Sequence, residues 1–192
     1  MDMSILYFFF IVFVIVAASN AVNLTDGLDG LAIVPSIFVA LVFGIFAYVI
    51  GHATFSAYLQ YEQLKGSGEL VIFCATILGA GMGFLWYNSY PAQVFMGDIG
   101  SMTLGGIFGT IAVLIKQELL FVIVGGIFVI EAFTTLLQKY IFIKYIGRRL
   151  FLRTPLHHTY QVRGIAEPKV VVRFWIISAI LALISLSALK LR

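Results

Sequence analysis

Six long apolar runs, each bounded by polar or charged residues, constrain this chain more than any other feature of its 192 residues. A helix needs about 20 predominantly apolar residues to cross the roughly 30 Å hydrocarbon core of a bilayer. The runs extend approximately from Ser4 to Ser19, Leu31 to Ile50, Leu70 to Tyr87, Ile99 to Ile115, Leu119 to Gln138 and Val170 to Leu189. Lipid offers no partner for free backbone groups, and these runs are too continuous for barrel strands, so they are expected to be helices. The composition agrees: 61% of the residues are hydrophobic, 11% are charged and the mean hydropathy is +1.06. That is outside the range of soluble globular domains. The expected fold is all-α, a polytopic membrane protein of about six transmembrane helices forming one domain over residues 1–192. No internal repeat or low-complexity linker divides it.

The first run is short, follows Asp2 rather than a basic region and lacks a small-residue cleavage pattern, so it reads as a shortened helix and not as a signal peptide. An even number of spans puts the loops near residues 20–30, 88–98 and 139–169 on one side. The last of these carries Lys139, Lys144, Arg148, Arg149, Arg153, Arg163 and Lys169, against Lys65, Lys116, Lys190 and Arg192 opposite, so this side is expected to be cytoplasmic. Basic residues beside apolar spans answer to lipid headgroups and orientation, and nucleic acid is not an expected partner despite a pI near 9.0. The single Cys74 lies within a span, where it reads as packing and allows no intrachain disulfide. Glycines at 79, 81, 83, 105, 106, 125 and 126 are expected to let helices approach closely.

The chemistry lies in the three loops of the cytoplasmic side. The first contains Asn20, Asn23, Asp26-Gly27 and Asp29-Gly30. Two carboxylates three residues apart, each followed by glycine, suit either a capped turn or a site. Acids at the membrane edge are costly unless solvated, paired or used. The second loop, Trp86 to Ser101, ends with Asp98 at the start of an apolar run. Asp98 is suited to capping that helix, and equally to ligating Mg²⁺, which takes a few carboxylate oxygens together with waters and phosphate oxygens. Phe95 is either an interfacial anchor or a face on which a base stacks. The third loop carries His157 and His158. Adjacent histidines occur on surfaces, but in a cationic loop an imidazole also suits phosphate binding or proton handling. Zinc spacing is not met. Glu131 falls inside the fifth run, where a carboxylate must face protein or a watery groove. From Lys139 the segment keeps Tyr140, Ile141, Phe142, Ile143, Tyr145 and Ile146 among its cations, as an interfacial helix bordering a lipid entry groove would.

The strings NAVNLTDGLDGLA (20–32), YPAQVFMGDIGS (90–101), PLHH (155–158) and EPKVVVRFWIIS (167–178) resemble the bacterial phospho-N-acetylmuramoyl-pentapeptide transferases, within the polyprenyl-phosphate N-acetylhexosamine-1-phosphate transferase superfamily. The resemblance runs over essentially the whole chain in span order. It implies transfer of a pentapeptide-bearing sugar phosphate from UDP-N-acetylmuramoyl-pentapeptide to undecaprenyl phosphate, giving lipid I and UMP with Mg²⁺ at the cytoplasmic face of the bacterial inner membrane. By the same resemblance Asp98 is the magnesium ligand. Asn23, Asp26, Asp29, Asn88 and Phe95 line the nucleotide site, with Phe95 beside the uracil and Gln138 reaching the same pocket. His157 and His158 contact phosphate or sugar, His157 being the stronger candidate for an essential role. Members of the family associate as homodimers, which no residue here demonstrates. Two departures stand out. Thr159 occupies the place of a third histidine, and the chain corresponds to the carboxy-terminal half of a ten-span family whose adjacent aspartates and associated lysine are expected before Met1. The isolated chain is therefore expected to be inactive without that amino-terminal half.

Overall fold

The computed structural model describes residues 4–190; Asp2 and Arg192, which entered the sequence reading, lie outside them. The described residues form helices joined by loops, and six helices are long and apolar enough to cross a membrane. The chain runs through α1 (Ser4–Thr25), α2 (Ile33–Gly51), the short α3 (Ala53–Tyr58), α4 (Leu70–Asn88), α5 (Gly97–Leu114), α6 (Glu118–Val124), α7 (Gly126–Leu136), α8 (Leu156–Val162) and α9 (Glu167–Ser187). This is the polytopic all-α membrane fold expected from the six runs.

Packing separates helices that composition does not. The two most apolar spans, α1 and α2, have opposite surroundings: α2 is the most enclosed of the six, while α1 and α4 expose most of their side chains. In lipid an apolar side chain gains little by moving from tails to protein, so fit rather than hydropathy selects the core. Phe43 and Phe46 of α2, Phe108 of α5 and Phe128 of α7 are fully buried, with Phe43 edge-on to Phe108 at 6.5 Å between centroids. α1 lies along α5, α2 along α4, and α9 packs on α2 and α6.

Small residues make these approaches possible at some positions and not at others. A Cβ on Gly105 would lie 2.6 Å from the Cα of Ser19, and one on Gly109 would lie 2.9 Å from the Cα of Ile15, so α1 and α5 meet backbone to backbone. Gly81 faces the side chain of Ile37 and Gly126 that of Leu181, each at 2.9 Å, whereas Gly79, Gly83 and Gly106 have open space.

Two boundaries differ from the sequence reading. The first helix does not stop at Ser19 but continues to Thr25, because Ala18, Ala21 and Val22 are buried in the core shared with α2, α5 and α7 and the Asn20 and Thr25 side chains donate to the carbonyls of Val16 and Ala21. The polar tail of the helix therefore needs no lipid to hold it. The fifth run is not one helix from Leu119 to Gln138. It breaks at Gly125, where α6 gives way to α7, and α7 passes without interruption into a π-helical stretch from Leu137 to Ile146. Lys139 and Lys144 lie over the rings of Tyr140 and Tyr145 along this extension, which matches the expected snorkelling segment.

Candidate active site

The close approach of α1 and α5 places the last turn of α1 beside the first turn of α5. There the Asn23 amide group donates to Asp98 Oδ1 and to Ser101 Oγ, both at 3.1 Å. Gly97, at φ +67°, turns the chain into α5 in a conformation that other residues rarely adopt. The carboxylate of Asp98 does not cap its own helix, whose N-cap is Met96 without any side-chain hydrogen bond. It is exposed and carries the Asn23 contact instead. Of the two readings open for Asp98 in the sequence, capping is the one the geometry does not show.

Asp26 follows directly on α1 and is partly buried. Burial lifts its carboxyl from the usual carboxylate range to about 6, and the nearby charge of Asp98 pushes in the same direction. Two carboxylates thus share one small region at an interface, one partly desolvated and one open to solvent. A cation between them would relieve both the repulsion and the desolvation.

Asp29 and Asn88 join the first loop to the second. Asp29 Oδ2 accepts the Ala92 N–H at 2.9 Å, and Asn88, itself buried, accepts the Gly30 N–H at 3.1 Å while its amide donates to the Val94 carbonyl at 2.8 Å. The α9 end closes the same knot: Glu167 Oε1 accepts the Asp29 N–H at 3.2 Å and the Trp175 indole donates to the Gly30 carbonyl at 3.0 Å. Both side-chain groups of Asn88 are engaged within the chain, so it organises the site through backbone. Phe95 lies on the second loop, 73% exposed and open to a stacking partner.

The histidines differ from each other. His157 is fully buried, with its ring against the first loop: a Cβ on Gly27 would collide with Nε2 and lie 2.9 Å from Cε1. His158 is partly exposed, bonds Gln161 Oε1 through Nδ1 at 2.8 Å, and has its ring centroid 4.2 Å from that of His157. Thr159 is buried and closes a loop, donating its hydroxyl to the Arg153 carbonyl and accepting the Arg153 N–H at 3.2 Å. Gln138 is buried as well; its oxygen accepts the Phe151 N–H at 2.8 Å and its amide lies 3.5 Å from the Thr154 hydroxyl. Its polar atoms thus hold the third loop.

Asn23 thus contacts Asp98 directly, Asp26 lies near enough to feel the Asp98 charge, Asp29 and Asn88 brace the loops that carry them, and the His157 ring packs against Gly27. Three contributors escaped the sequence reading: Ser101, Glu167, and Glu131 as the partner of His157. The only signal for the last was an isolated carboxylate in an apolar run. Among the described residues no group of three or more His, Cys, Asp or Glu side chains gathers to hold a metal by itself. Mg²⁺ does not require one, since waters and substrate phosphates complete its shell. The exposed Asp98 beside the raised Asp26 is the kind of donor set it uses.

The sequence model of glycosyl transferase family 4 matches residues 1–116, which contain the first two loops and every residue of the Asn23–Asp26–Asp98 group. The chain belongs to glycosyl transferase family 4. Its similarity to individual relatives continues beyond that match. It is 58% identical over 191 residues to the phospho-N-acetylmuramoyl-pentapeptide-transferase of Pelobacter propionicus, and 56% identical to the proteins of the same name from Citrifermentans bemidjiense and a Geobacter species. Each alignment takes in 100% of this chain and 53% of the relative, so the chain spans about half the length of the relatives it matches. The family 4 loops are therefore joined here to a third loop, with His157 and His158, that lies beyond the residues of the family match but within the similarity to these relatives.

Proposed function

We propose that this chain forms the nucleotide and metal side of a transferase that moves phospho-N-acetylmuramoyl-pentapeptide from its UDP carrier to undecaprenyl phosphate, releasing UMP and leaving lipid I. The observation that carries the reading is the Asn23–Asp98 contact with Asp26 within reach of the Asp98 charge, at one end of the helix bundle of a family 4 glycosyl transferase whose relatives bear that enzyme name. A phosphate oxygen of the lipid attacks the phosphorus attached to the sugar, the bond from that phosphorus to the UMP oxygen breaks, and UMP leaves with the electron pair. Both reactants are anions, so the site must offset their repulsion before the new bond forms.

In this reading Asp98 would hold Mg²⁺ with Asp26 nearby, and the cation would supply charge neutralisation for the phosphates. The Asn23 amide orients Asp98 through its 3.1 Å contact. Phe95 stacks on the uracil, while Asp29 and Asn88 hold the loop that carries Phe95 through the Ala92 N–H and the Val94 carbonyl. His158, the more accessible imidazole, meets phosphate or sugar; His157 supports the loop from within. The excess of basic residues from Lys139 to Lys169 supports a cytoplasmic orientation of this end, at the inner membrane in this reading.

The test is formation of radiolabelled lipid I in membranes holding this chain together with an amino-terminal half supplied from a relative, with an Asp98→Ala control. Product dependent on the pentapeptide-bearing nucleotide, and lost with Asp98, supports the assignment. Transfer from a simple sugar nucleotide instead would make the chain a different sugar-phosphate transferase, and product formation that survives Asp98→Ala would remove the proposed metal ligand.

A further inference from the structure

Glu131 lies in α7, is fully buried, and comes from a different part of the chain than any loop of the site. A carboxylate so placed is costly unless polar groups meet it. Two do. Its Oε1 accepts the backbone N–H of His157 at 3.1 Å, and its Oε2 lies 3.3 Å from Nδ1 of the same residue. The first contact is a hydrogen bond. The second lies within ion-pair range without hydrogen-bond alignment, and among the described residues neither Nδ1 nor Nε2 has a hydrogen-bond partner.

The imidazole is therefore held at its Nδ1 edge, and its opposite edge supports the first loop. Nε2 and Cε1 occupy the space that a side chain on Gly27 would need. Gly27 directly follows Asp26 and lies two residues before Asp29, so the height of the ring sets the height of the backbone that carries both carboxylates. The groups facing His157 are Glu131 from α7, the Asp26–Gly27 backbone from the first loop and the ring of His158 from α8.

We infer that Glu131 is a positioning residue: from within the bundle it fixes His157, and through the His157 ring it fixes the Asp26–Asp29 loop on which the nucleotide site is built. This rests on the transferase reading for its consequence, though not for its geometry. Among the described residues the side-chain polar contacts of Glu131 go to His157 and not to Asp26, Asp29 or Asp98. Its influence passes through one imidazole.

The experiment uses the whole chain in lipid nanodiscs with ¹⁵N-labelled histidine. His52 at the far end of α2 is an internal control for the ring resonances. Glu131→Gln keeps an oxygen for the His157 N–H but loses the charge; it is expected to shift the His157 ring nitrogens, leave those of His52 in place, and keep Mg²⁺-dependent UMP affinity within about threefold. Glu131→Ala loses both contacts and is expected to weaken UMP binding about tenfold or more. Unchanged His157 resonances in Glu131→Gln, or wild-type UMP affinity in a folded Glu131→Ala protein, would overturn the inference. Should Glu131→Ala fail to fold, the Glu131→Gln spectrum decides alone. A wild-type chain that binds no UMP counts against the transferase reading, while the ring resonances still judge the contact itself.

Discussion

At the scale of single residues, the informative pair is Asp26 and Asp98, alike in chemistry and different in surroundings. Asp98 is open to solvent and offers a carboxylate to whatever arrives; its change to Asn is expected to reduce transfer by about a hundredfold or more, read as UMP release, since single charge-stabilising groups in active sites commonly contribute that much. Asp26 pays for its partial burial when it ionises. Its carboxyl titrates near 6 in the fold against 3.8 for a free side chain, so its protonated form favours the folded state. That contribution is present below the unfolded value and is lost as pH rises through about 6. In EDTA the apparent melting temperature is expected to fall between pH 4 and pH 7 on this account, and Asp26→Asn is expected to flatten the fall. Added Mg²⁺ is expected to raise the melting temperature more at pH 7.5 than at pH 5, because only the ionised carboxylates hold the cation. Thermal melts over that range check both. Of the candidate residues, the acids, amides and histidines were legible in the sequence because each is an expensive group at a membrane edge. Glu131 was legible as an anomaly, but not its partner, since 26 residues and a loop separate it from His157.

At the scale of elements, the contact of α1 with α5 decides the geometry of the site. Asn23 reaches Asp98 only because the two helices touch through Gly105 and Gly109. Gly105→Leu is expected to separate them, lowering both the apparent melting temperature and Mg²⁺-dependent UMP affinity by at least tenfold in the latter. Gly106→Ala, one residue along and facing open space, is expected to leave both at wild-type values, and a paired melt and binding titration distinguishes the two. Which glycine matters was not legible in the sequence. Periodicity says little when every face of a helix is apolar, so the facing residues alone distinguish Gly105 from Gly106. The break at Gly125 was hidden for the same reason. The extension of α1 to Thr25 was missed because Asn and Thr, which favour loops when exposed, here bond their own helix or the neighbouring one.

At the scale of the whole molecule, the six spans collect the first, second and third loops at one end of the bundle, and leave the exposed Lys116–Glu62 pair, at 2.9 Å, in the other set of connections. A maleimide that cannot cross the membrane is expected to label a cysteine at the exposed Ser89 only in inverted vesicles, and one at the exposed Gln63 only in right-side-out ones, after Cys74→Ser; the reverse pattern would contradict the assigned orientation. What the sequence by itself determined is the class of fold, the number of spans and the identity of the chemically costly residues. Those follow from the length of apolar runs against the bilayer thickness and from the cost of polar groups in lipid, both of which act on residues one at a time. The tertiary structure alone decided which span is central, which glycines make contact, that Asn23 is bonded to Asp98, and that a buried glutamate supports a buried histidine. Hydropathy cannot distinguish a lipid neighbour from a protein neighbour, so those outcomes depend on shape and on hydrogen bonds between residues far apart in the chain.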